Sequence, residues 1–70
     1  MKTYLAKIDK YYRSETNISV DQMIAQLVAF GAANIIFDYD AQHFLFRMYE
    51  DKASVLRSVK WVKELLDDGH

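Results

Sequence analysis

Seventy residues make one domain, 1–70, near the size at which a single core can hold a fold without staples. The chain is 51% apolar with five Tyr, four Phe and one Trp, which argues against disorder, and it has no cysteine for disulfides, thiolate chemistry or sulfur-ligated zinc. Nine basic and ten acidic residues give a formal charge of −1, without the basic excess of a protein that binds nucleic acid by neutralising phosphate.

Residues 1–13 fit two patterns. Tyr4, Ala6 and Ile8 alternate as one face of a strand, while Tyr4, Ile8, Tyr11 and Tyr12 share a helical spacing. The strand is preferred, because a two-stranded hairpin with nothing beside it is marginal. Ser14–Asn17 reads as a polar connection. Ser19 and Gln22 then form a capping box, with Ile18 placed to staple against Met23. A helix follows from Val20 to Ala29 or Phe30, facing the core with Val20, Ile24, Leu27 and Val28, and with Met23 and Phe30 at the margins. Gly31 stands where a left-handed terminating residue is wanted.

Two alternating runs come next, Asn34–Tyr39 and His43–Tyr49, separated by Asp40-Ala41-Gln42. Without a glycine in that link, a loop longer than two residues is expected. The face bearing Phe44, Phe46 and Met48 is the core candidate, since Arg47 on the other is costly to bury unpaired. A final helix, capped by Asp51, is expected to reach Leu66 through a stripe of Val55, Val59, Val62 and Leu66. Leu56, Ser58 and Leu65 lie beside that stripe, Trp61 flanks it, and Gly69 can end it. Its valines lower helix propensity, so it depends on docking. The expected class is α+β in the order β-α-β-β-α, an antiparallel sheet with two helices on one face.

No chemistry is written in the chain. His43 lacks a convergent metal or catalytic set, and reads as a solvent-facing strand histidine; His70 is terminal. Two glycines cannot build a phosphate loop, and no serine stands in a nucleophile context. We therefore expect no enzyme, cofactor or metal. Tyr11, Tyr12 and Arg13 combine residue types common at binding hot spots, though the tyrosines can equally cover one end of the core. The carboxylates Asp38 and Asp40 can steer a basic partner, or simply belong to a solvated surface. On the expected last helix, Arg57, Lys60, Trp61 and Lys63 could serve a nucleic-acid accessory role, although Trp61 more readily seals the sheet. No apolar run approaches the ~20 residues of a membrane span. The absence of a signal core at the N-terminus fits a cytoplasmic protein.

The run Ile18-Ser-Val-Asp-Gln-Met-Ile-Ala-Gln-Leu-Val-Ala-Phe-Gly-Ala, followed by Ile35-Ile-Phe-Asp-Tyr-Asp, resembles a family of short phage and prophage proteins. Leu56-Arg-Ser-Val-Lys-Trp-Val-Lys-Glu-Leu-Leu is similar to that family's closing helix. The likeness spans about residues 12 to 66 and rests on capping and core positions. The family often carries a further basic strand and a proline-containing connection before that helix, where this chain has only Glu50-Asp51-Lys52. The resemblance implies a mobile-element protein that binds a host protein complex, an anti-CRISPR or related anti-defence inhibitor being one form, and it supplies no catalytic residues. A second copy of the chain is the other partner that could complete its apolar surface.

Overall fold

A computed structural model describes residues 1–68; Gly69 and His70, with the terminating role expected of the glycine, lie outside the described residues. Four strands form one antiparallel sheet in the order β2-β3-β1-β4: β1 Lys2–Ile8, β2 Ala33–Asp38, β3 His43–Met48 and β4 Val62–Asp67. Helices α1 Lys10–Thr16 and α2 Val20–Ala29 precede β2, and α3 Glu50–Ala53 with a 3₁₀ turn Ser54–Ser58 joins β3 to β4. The chain is thus an α+β domain with an antiparallel sheet, as its patterning indicates. Among the described residues no helix is long and apolar enough to cross a membrane.

The alternation read in β1 holds. Tyr4, Ala6 and Ile8 are buried beside Phe44, Phe46 and Met48 of β3, and Ile35 and Phe37 of β2 pack against the same cluster. Met23 and Leu27 of α2, Leu56 of the 3₁₀ turn and Trp61 complete this core, with Tyr12 of α1 packed against it. The Ser19–Gln22 capping box forms in both directions. At the other end, Gly31 takes φ +101, and the Gly31 and Ala32 amides donate to the Val28 and Leu27 carbonyls in a Schellman closure. The loop after β2 has four residues, as the missing glycine requires. Asp38 Oδ1 accepts from the Asp40 and Ala41 amides, and Gln42 takes φ 56.

Four expectations need correction. The face of α2 is centred on Met23 and Leu27, one turn apart, and leaves Val28 58% exposed. Residues 10–16 are helical, where strand was preferred as far as 13 and a polar connection from 14, because Asp9 caps α1 by accepting from the Tyr12 amide and Asn17 closes it at φ 58. Asp51 lies inside α3, which Tyr49 starts without a side-chain cap. The helix expected as far as Leu66 is replaced by a short helix, a 3₁₀ turn and a strand. β1 has two edges, and only one is satisfied by β3; β4 hydrogen-bonds along the other, outweighing the weak helix propensity of a valine-rich segment. The slip between Lys7 and Ile8 leaves Lys63 as an extra residue, so that both Val62 and Leu65 face inward. The family likeness drawn for 56–66 therefore concerns a helix this segment does not form.

The corrected helix face has a measurable consequence. Met23→Ala should cost about 2–5 kcal/mol, whereas Val28→Ala should stay within about 0.5 kcal/mol. Urea unfolding of the two variants separates them. Lys2 ties β1 to β4 and α3 through Asp67 at 3.3 Å and Glu50 at 3.4 Å. The hydrogen bond to Asp67, then the charge of Glu50, raises the Lys2 pKa above 10.5. A raised lysine value places this contribution below the unfolded pKa, so it is present at neutral pH and is lost as pH climbs through the folded value.

Candidate functional site

One end of the sheet gathers several of the residues singled out in the sequence. The C-terminus of β1, the start of α1, the β2–β3 loop and the extra residue of β4 meet around an open cleft of about 420 Å³, lined by Lys7, Lys10, Tyr11, Gln42 and Lys63 among others. Arg13 Nη1 donates to Gln42 Oε1 at 2.8 Å, fastening α1 to the loop. Tyr11 is 77% exposed and Asp40 is exposed, so both can meet a partner. The remaining three have structural work. Tyr12 packs on the core, Arg13 is spent on Gln42, and Asp38 shapes the loop while its Oδ2 lies 3.8 Å from His43 Nε2.

The nucleic-acid set divides. Lys63 reaches the cleft, joining Lys7 and Lys10 there, and Lys60 is exposed in the turn before β4. Arg57 Nη1 donates to the Leu65 carbonyl at 3.2 Å, holding the 3₁₀ turn over β4. Trp61 is 2% exposed, stands edge-on to Phe44 at 5.6 Å, and donates its indole N–H to Gln26 Oε1 at 2.9 Å. It is a core residue and cannot stack on a base.

The second feature was not singled out. Side chains opposite to the core face form the other face of the sheet, where no described helix residue joins the packing. The register sets Ile36 opposite Leu45, Leu45 opposite Leu5, and Leu5 opposite Leu66. One aliphatic side chain from each strand thus lies in a single row across the sheet. Ile36 is 62% exposed and Leu66 38% exposed at its ends. A polar row runs beside it: Asp38, His43, Lys7 and Glu64, with Lys7 Nζ 3.6 Å from Glu64 Oε1. Arg47 and Thr3 border the other flank. An apolar strip with a polar rim is the anatomy of a protein-binding patch.

Among the described residues, no group of three or more His, Cys, Asp or Glu could hold a metal ion. Comparison with known protein families, curated proteins and solved structures finds no match to this chain.

Proposed function

We propose that this chain is a non-enzymatic binding protein that acts by occupying a surface of a larger protein complex. In its specific form the reading is of a mobile-element protein in the host cytoplasm, bound to a bacterial immunity complex in the manner of an anti-CRISPR inhibitor. The supporting observation is the aliphatic row Ile36–Leu45–Leu5–Leu66 on a sheet face that no described helix packs against, rimmed by charge. Apolar side chains so arranged gain most when a partner removes them from water, at roughly 25 cal/mol per Å². Tyr11 and Asp40, at the end of the same domain, would extend the contact.

The test is capture from a nuclease-treated host lysate with the tagged protein, followed by mass spectrometry. Wild type should retain one dominant complex, and the double variant Leu5→Lys/Leu66→Lys should lose it while keeping its circular dichroism spectrum. Equal capture by both proteins would remove this face from the interaction.

A nucleic-acid accessory role is the second reading, favoured by Lys7, Lys10 and Lys63 lining one cleft with Tyr11. Partners that vanish with nuclease, and oligonucleotide binding that falls steeply with salt, would support it.

A further inference from the structure

The two outer edges of the sheet are built differently. β4 carries Lys63, Glu64 and Asp67, with an irregular register against β1. Charges and irregularities of this kind discourage a further strand from adding to an edge. β2 has no such guard over its central residues. Its irregularity lies between Ala33 and Ile36, where Asn34 takes φ 55, and its one charge, Asp38, is the last residue. Between them, Ile35 and Phe37 face the core while Ile36 points to the open face, and among the described residues no strand pairs with their outer edge. An uncharged run of β-branched and aromatic residues on an unpaired edge is a template for another strand.

We propose that this edge pairs with the β2 edge of a second copy, antiparallel and centred on Ile36. The two-fold axis would stand perpendicular to the sheet, keeping the helices of both copies on one side. The sequence is self-complementary in that register, and centring on Ile35 would instead carry the irregular residues Ala33 and Asn34 into the middle of the pairing. Ile36 meets Ile36 of the second copy, and Ile35 meets Phe37 in both directions, an aromatic and β-branched pairing of the favourable kind. Centring on Phe37 would set Ile36 against a carboxylate, and centring on Asp38 would oppose two carboxylates. A one-residue slip would place core-facing side chains against solvent-facing ones. The assembly would be an eight-stranded sheet in which the two aliphatic rows join end to end at Ile36. This inference rests on the edge and not on the functional proposal, and either can fail alone.

A chain without cysteine allows a clean test. Light scattering over a concentration series should show wild type rising to twice the monomer mass, and Ile36→Lys remaining monomeric with an unchanged circular dichroism spectrum. Ile36→Cys should be joined into a covalent dimer by a short bis-maleimide, while Leu66→Cys on the opposite edge should not. A wild type that stays monomeric at every concentration would overturn the proposal and leave the edge to an extended segment of another protein. So would a dimer indifferent to Ile36→Lys, or one cross-linked through position 66.

Discussion

Trp61→Ala is expected to remove most of the stability of this protein. The side chain is sealed beneath Gln26 and against Phe44, and large-to-small changes of this kind cost about 3–5 kcal/mol. A domain of 70 residues has roughly 4–10 kcal/mol in total, so the variant should unfold at a much lower urea concentration than wild type. Trp61→Phe should retain much of what is lost, since Gln26 is exposed and can turn its amide to water. Urea titrations followed by circular dichroism provide the measurement. A midpoint unmoved by Trp61→Ala would mean that the indole lies on the surface, available for stacking, and the core described above would be wrong.

Leu65→Ala and Leu66→Ala should behave as unlike neighbours. In β4 Leu65 is 5% exposed and faces Ala6 on the core side, while Leu66 is opposite Leu5 on the open face. Truncation at 65 should cost about 2–5 kcal/mol, and truncation at 66 about 1 kcal/mol or less. A helix through this segment, built on Val62 and Leu66, would reverse the order. The pair of variants therefore distinguishes strand from helix without a new structure.

The parts of the fold legible in the sequence are those decided by close neighbours. Ser19 and Gln22 are three residues apart, Gly31 acts on the turn before it, and the Phe44-Phe46-Met48 alternation is carried by one strand. β4 was hidden because Val55, Val59, Val62 and Leu66 satisfy a helical period by themselves. What overrides that period is the need of β1 for a second neighbour, and no local pattern expresses it. The start and end of α1 were present as Asp9 and Asn17, but the tyrosines between them share a helical spacing with Tyr4 and Ile8, which blurs the boundary between strand and helix. The surface divides in the same manner. Tyr11 and Asp40 are accessible, as candidates for contact must be, whereas Tyr12 and Arg13 are drawn into packing by partners remote in the chain. The aliphatic row is a property of register: Ile36, Leu45, Leu5 and Leu66 become neighbours only when four strands align.

The central position of β1 also sets an order of events during synthesis. Residues 2–8 leave the ribosome before any strand that pairs with them has been made. Their first neighbour is β3, and their second, β4, closes the sheet only when residues 62–67 are free. Long-range pairings of this kind are entropically slow to form, because the intervening loop must close before any contact rewards it. Helix α2 and the β2–β3 hairpin can form early, but Tyr4, Ala6 and Ile8 must wait with their apolar face unburied. The first of the four strands to be translated is thus the last to gain both neighbours, and a nascent chain stalled before β4 would present one bare edge of β1 to chaperones and proteases.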